Sequence, residues 1–324
     1  MSKFIGRKVE IGIGLESSRG VGVTPTVALG KVDFSMYDKT VDARLSESLG
    51  HIADSEDKFV QEKYAQGSLG GILGANSALY LMALAFGDIT TPGAAVDSVY
   101  PWDVPVDNDN IHPSASLLVK DVNQSLLHKL VMLEQLEIEI PNDDLVKYTA
   151  EFVAKRAVTS LASMPSYAED YKFGKRLAKV SVADAIAGLT AASRLPLKNL
   201  KLTIKKNLLR DSQIGTVEPT DINNQQLSIE GELTLNYNDQ TYKNYMLDGT
   251  KKAMRIHLSS EKLIGSTGRG ELIIDLSKVD FFSWEPDAKI DDIISQKINF
   301  KCNYDVATGK IVDSVTVNNA LATK

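Results

Sequence analysis

Cysteine is almost missing from this sequence. The single thiol, Cys302, leaves no intrachain disulfide and no thiolate zinc site to this chain alone, and it fits assembly in a reducing cytoplasm. Histidine is nearly as scarce. His51, His112, His128 and His257 show neither HxxxH nor HExxH spacing, so the signatures of a zinc centre or a nucleophile–base pair are lacking. There is no GxSxG elbow and no GK[ST], and Ser17 stands where the third glycine of a GxGxxG loop begun at Gly12 belongs. Long apolar runs are missing too. The stretch Ala78 to Phe86 falls far short of the ~20 residues that span a bilayer, and Met1 to Arg7 lacks the apolar run of a signal peptide. No membrane partner is expected. Basic charge is in deficit, with 36 Lys and Arg against 42 Asp and Glu and a formal net charge of -6. Proteins that grip nucleic-acid phosphates over a wide surface are normally basic, so specific DNA binding is not expected, although a surface past which DNA slides is compatible. Aromatics make up 7% of the chain, and Trp102 and Trp284 are far apart, which gives little support to the alternative of a ligand- or carbohydrate-binding β-sandwich.

What is present is strict alternation of apolar and polar residues, the pattern of strands with one buried face. Val32, Phe34 and Met36 alternate with Asp33 and Ser35. Leu227, Ile229, Leu233, Leu235 and Tyr237 share one parity, and Ser228, Glu230, Glu232, Thr234 and Asn236 the other. The same pattern runs through 136–140, 254–259 and 298–304. Polar-out strands of this kind belong to antiparallel sheets. Leu79, Met82, Ala83 and Phe86 mark a helix over Ala75–Phe86 that stops at Gly87, and Gln240–Leu247 is a weaker helix ending before Gly249. The expected class is mainly β, with a short flanking helix in each half.

The order of elements occurs twice, which divides the 324 residues into a first module with its N-terminal arm (1–160), an Ala-rich linker region (161–196) and a second module (197–324). Phe34 is set against Leu202 and Gly87 against Gly249. Each half carries a long polar loop in the matching place, Asp38 to Asp57 and Asn207 to Gln225. Loops longer than ~12–15 residues in compact domains are usually functional or disordered. Asp42, Arg44, Glu47, Asp54 and Glu56 in the first, and Arg210 and Asp211 in the second, are therefore the candidate inter-subunit contacts. Asp287, Asp291 and Asp292 near Glu285 lack the DxDxDG rhythm of a calcium loop and read as a solvated turn. Glu137 and Glu139 read as a water-facing stripe, and Cys302 as a buried, unreactive thiol. No catalytic residue, metal or cofactor is expected.

Three segments together resemble a known family. The opening run Val9-Glu10-Ile11-Gly12-Ile13-Gly14-Leu15-Glu16, followed by Gly20-Val21-Gly22-Val23-Thr24-Pro25-Thr26, resembles that of the major tail tube proteins of long-tailed bacteriophages. Gln225–Tyr237, the helix-like Thr241–Gly249 and the strand Ala253–Leu258 are similar to that family's strand–helix–strand centre, and Val279–Trp284 and Lys297–Asp305 to its closing strands. The resemblance implies tandem β-sandwich or split-barrel modules. It also implies self-assembly into rings, as a trimer with pseudo-sixfold symmetry or as a hexamer, and stacking of those rings into a tube that DNA traverses during ejection. Tape-measure and terminator proteins are the implied partners, and the virion tail, assembled in host cytoplasm, the implied location. Acidic residues on polar strand faces are expected to line the channel. Another tail or baseplate component, or a secretion-type tube, is the neighbouring alternative.

Overall fold

The alternating segments form antiparallel strands, each burying one parity of its side chains. The structure is a computed structural model and describes residues 5–30, 33–47, 50, 52, 54–288, 290 and 293–324. Lys31, Val32, His51, Asp291 and Asp292 lie outside the described residues.

The first half of the chain holds β1 (Glu10–Leu15), β2 (Val27–Ala28), β3 (Asp33–Leu45), β4 (Asp57–Ile72), α1 (Ala75–Phe86), β5 (Tyr100–Val104), β6 (Ala115–Lys120), β7 (Ser125–Ile140), β8 (Lys147–Lys155) and β9 (Val158–Thr159). The second holds β10 (Lys179–Ala183), β11 (Leu197–Lys205), β12 (Leu208–Asp211), β13 (Asp221–Asn224), β14 (Ser228–Asn236), α2 (Thr241–Asp248), β15 (Lys251–Ile264), β16 (Gly268–Asp287), β17 (Ser295–Cys302) and β18 (Ser314–Asn319).

Both halves follow one pairing order, antiparallel throughout. It runs β3–β4–β8–β7–β6–β1 in the first half and β11–β14–β17–β16–β15–β10 in the second. The correspondence extends to single residues. Gly67 on β4 faces Met36 and Phe152, and Gly231 on β14 faces Leu202 and Phe300. A bulge between Leu133 and Gln135 leaves Glu134 as the extra residue of β7, and one between Phe281 and Ser283 leaves Phe282 as that of β16. This register sets Met36 against Leu202, whereas the sequence pattern had set Phe34 there.

The long strands β7 and β16 each serve two sheets. The first part of β7 carries β6 and β9, and its second part carries β8. At the change of direction Leu130 has φ 51°. Its amide donates to Glu16 Oε1 at 3.0 Å, and the same carboxylate accepts from Ser114 Oγ at 2.6 Å, Ser116 Oγ at 2.9 Å and the Gly20 amide at 2.7 Å. Glu16, in the opening run of the sequence, thus fastens the N-terminal segment to the bend. In the second half, the segments 271–276 and 279–284 form one twenty-residue strand, β16, instead of two.

α1 forms where periodicity places it, but all twelve of its residues are buried, not one face. It is covered by β1, β5, β7, β16 and β18, and its sequence allows this because its polar groups are confined to Asn76, Ser77 and the Tyr80 hydroxyl, which bonds Thr26 at 2.9 Å. Its N-terminus is closed by Asp170, which accepts from the Asn76 amide at 2.8 Å and Ser77 Oγ at 2.7 Å. α2 is shorter and mostly half-buried, and it leans Tyr242 and Tyr245 on Phe281, with ring centroids 5.3 and 6.0 Å away. It ends at Gly249 in the left-handed conformation, φ 62°. Within 161–196 lie β10, paired with β15, and Phe173, fully buried and bridged to Ser260.

The matched glycines give a direct test. A Cβ at Gly67 collides with the Ser35 carbonyl oxygen, and one at Gly231 meets the Phe300 ring and sits 2.6 Å from the Lys201 carbonyl oxygen. Gly231→Val is expected to destabilise the fold by about 1–3 kcal/mol, and Gly67→Val by at least as much. Both are read as a fall in thermal midpoint against an exposed-site control such as Gly6→Val.

Candidate assembly interface

The two halves meet strand to strand. β7 and β11 pair over six residue pairs, from Leu200↔Ile140 to Lys205↔Gln135, and the ladder continues with the Lys206 amide donating to the Glu134 carbonyl at 2.9 Å. Leu136, Ile138, Ile140, Leu200, Leu202 and Ile204 turn into the core from this joint. Burying each contributes roughly 1.5–3 kcal/mol.

Through the joint, eight strands become one sheet in the order β3–β4–β8–β7–β11–β14–β17–β16. Both ends are open. Among the described residues β3 pairs only with β4, and residues 281–286 of β16 pair only with β17. Unpaired edges of this length present rows of N–H and C=O groups to solvent and invite strand addition.

The face of this sheet turned away from the core is charged, and it is not acidic alone. Lys201 reaches Glu137 at 2.8 Å, Lys297 reaches Glu232 at 2.8 Å, and Lys301 reaches Glu230 at 2.7 Å, each pair spanning neighbouring strands. The Lys301 ammonium holds the Glu230 carboxyl below its ordinary range. The expected acidic stripe at Glu137 and Glu139 is therefore one strand of a face that carries both signs.

The candidate loop residues occupy two hairpins. The segment 38–57 is mostly ladder. β3 stays paired with β4 as far as Leu45↔Asp57, so Asp42 and Arg44 are strand residues, and only Glu47, Asp54 and Glu56 belong to the tip. The sequence hid this because both faces of a projecting hairpin are solvated, which removes the alternation. Asp42 is paired with Lys58 at 2.8 Å, which lowers the Asp42 carboxyl pKa. The matching segment of the second half is the hairpin β12–β13, and it folds back onto β4. Arg210 bonds Glu62 at 2.8 Å and lies 3.9 Å over the Tyr64 ring, the Lys63 amide donates to Val217 O at 2.6 Å, and Arg156 pairs with Glu218. Asp211 accepts from the hydroxyl and, through its carbonyl, the amide of Thr220. The first hairpin leaves Tyr37, Val41, Phe59 and Val60 exposed.

The sequence profile described as phage tail tube protein matches residues 6–302. The chain belongs to the phage tail tube protein family. It is a structural protein of the bacteriophage virion, a component of the tail. No curated protein matches it.

The tail tube chain holds its remaining histidine and cysteine candidates in local contacts. Ser259 and Glu271 approach the same nitrogen of His257, Nε2, at 3.2 Å each, whereas a nucleophile–base–acid relay needs the acid on the other ring nitrogen. Cys302 is buried, its Sγ donates to Ile311 O at 2.9 Å, and burial pushes its thiol up to about 12. Among the described residues no group of three His, Cys, Asp or Glu side chains is placed to hold a metal, and no helix is long and apolar enough to cross a membrane. A cleft of about 770 Å³ beside the joint is lined by Lys175, Arg176, Arg194 and Leu197 among others, with no aromatic side chain, so it lacks the stacking surface a sugar site uses.

Sequence reasoning missed the buried charge at the joint. Lys206, 1% exposed, directly follows β11 and donates from Nζ to the Leu84 carbonyl at 2.5 Å, near the C-terminal end of α1. Burial, helped by Arg19, lowers its pKa to about 7. Burial first, and then Lys206, bring His112 down to about 4. Only the placement of a lysine next to an alternating strand hints at this from sequence. The folded chain releases the Lys206 proton near pH 7, and the unfolded chain keeps it until the ordinary value of 10.5. Between those values the unfolded state binds more protons, so a rise in pH favours the fold. Chemical denaturation of wild type and Lys206→Met should show the wild type gaining on the variant by on the order of 1 kcal/mol per pH unit between pH 7 and about 9. Below pH 7 the difference should level off.

Proposed function

We propose that the chain is a two-module tail tube subunit, three copies of which close into a ring. The rings stack into the tube through which DNA is ejected. The observation that carries this reading is the eight-strand sheet with matched halves, an internal strand joint and two open edges. A head-to-tail interface generates a ring when its rotation closes, and ring closure removes the edges. In this reading the β7·β11 joint is the first of the ring's joints. Six modules from three chains then give the repeat that single-module subunits reach as a hexamer.

The dimensions are suitable. About 24 strands spaced ~4.8 Å apart give a closed sheet roughly 115 Å round, or about 37 Å across between backbones before strand tilt widens it. A channel of that width takes a nucleic-acid duplex. The core-averted face would line it. The Lys–Glu pairs across neighbouring strands cancel one another locally, so phosphates meet neither a strongly attractive nor a strongly repulsive wall. The hairpins 33–72 and 208–224 are the contacts between stacked rings and modules, with Asp42, Arg44, Glu47, Asp54, Glu56, Arg210 and Asp211 among them. The role is structural and requires no cofactor. Terminator and tape-measure proteins are the partners at the tube end and in the lumen, with assembly in the host cytoplasm.

Negative-stain images of the concentrated protein should show hollow rings or stacked tubes, with three strong repeats in end-on averages. A protein that stays monomeric with and without isolated tail tips contradicts the reading.

A further inference from the structure

We infer that the free edge of β16 pairs with β3 of a second copy of this chain in the register of the β7·β11 joint. That sets Ser35 opposite Asp287, Tyr37 opposite Glu285 and Lys39 opposite Ser283 of the neighbouring copy. The inference rests on the ring reading above and fixes which residues meet.

The register comes from the internal correspondence. The matched bulges fix β16 on β7, because Leu133 and Gln135 stand opposite Phe152 and Glu151 as Phe281 and Ser283 stand opposite Phe300 and Asn299. The matched glycines fix β3 on β11, because Met36 faces Gly67 as Leu202 faces Gly231. The joint inside the chain pairs Leu202 with Ile138, Thr203 with Glu137 and Lys205 with Gln135. Carried over by the same correspondence, these become Met36 with Pro286, Tyr37 with Glu285 and Lys39 with Ser283.

The side chains suit that pairing on both faces. In the internal joint Leu200, Leu202, Leu136 and Ile138 are four of the six core-facing positions. Their counterparts at the open edges are Phe34 and Met36 on β3 and Trp284 and Pro286 on β16, apolar side chains left half-buried or exposed in the single chain. On the polar face Lys39 and Glu285 become diagonal neighbours of opposite charge, within reach across an antiparallel pair. Tyr37, 53% exposed, gains a strand against it.

Two departures distinguish the outer joint from the inner one. Asp38 stands in the position of Ile204, and its carboxylate accepts from the Ala157 amide at 3.0 Å, so a polar side chain interrupts the apolar row. Pro286 stands in the position of Ile138. Residues of that parity turn their backbone groups toward the joint, as Glu134 does toward Lys206, and proline has no N–H to give. The outer joint therefore lacks one ladder bond, and a proline on an edge strand also restrains indiscriminate strand addition.

Cysteine cross-linking tests the register. Tyr37→Cys with Glu285→Cys is the matched pair, and Tyr37→Cys with Ser283→Cys is displaced by two residues. The native thiol, Cys302, is buried and stays in place. The two positions of each variant lie on the outermost strands of the eight-strand sheet, so the disulfide must join two copies. After mild oxidation, non-reducing gels should show the matched variant mostly as dimers and closed trimers, with at least tenfold more cross-link than the displaced variant. If the matched variant does not assemble when reduced, Ser35→Cys with Asp287→Cys replaces it with the same expectation. Equal or greater cross-linking in the displaced variant, in preparations where images show rings, overturns the register and leaves the ring standing. Absence of rings from the wild type as well overturns both.

Discussion

Everything distinctive about this chain depends on the antiparallel joint between β7 and β11. Without it the two halves would be separate four-strand sheets, each with two edges exposed. With it, four edges become two, six aliphatic side chains enter the shared core, and the chain presents a single eight-strand sheet with a matched beginning and end. The joint also has a charge to place. Lys206 lies at its end, buried, with its ammonium on a carbonyl of α1. That burial ties the sheet to the helix.

The central helix shows what the joint does to equivalent elements. α1 and α2 follow corresponding strands, β4 and β14, yet α1 is wholly buried and α2 has no buried residue. The difference follows from position. α1 is covered by β16 and β18 of the other half as well as by β1, β5 and β7 of its own. α2 lies mainly against β16 of its own half, with Tyr242 and Tyr245 on Phe281. Three lysine–glutamate pairs between neighbouring strands place both signs of charge on the core-averted face. Each such exposed pair adds little to stability.

The strands were the most legible part of the sequence, because burial of one face imposes alternation wherever a sheet has a single covered side. Ser228–Asn236 and Leu136–Ile140 read correctly for that reason, and the alternation read over 298–304 overran the strand, which ends at Cys302. The helix at Ala75–Phe86 was legible from its period, but its burial on every side was not, since that depends on strands as distant in sequence as β18. The stretch 38–45 was hidden because both faces of a projecting hairpin are wet. β10 was hidden because its partner, β15, lies more than seventy positions along the chain. Of the candidate site residues, Arg210 proved to be fixed by Glu62 and Tyr64, a pairing that no local pattern announces. Glu16 was visible as part of the opening run, yet its task of holding the bend at Leu130 needs the folded strands around it. The bulges at Glu134 and Phe282, which align the halves, left no trace in sequence periodicity.

The most direct measurement is an electron cryomicroscopy reconstruction of assembled tubes at a resolution that separates strands. The account predicts an unbroken inner sheet in which β16 of each copy lies antiparallel beside β3 of the next and every second joint is the internal β7·β11 pair. A ring lined by one half of each chain, with the other half displayed on the outside, would contradict it.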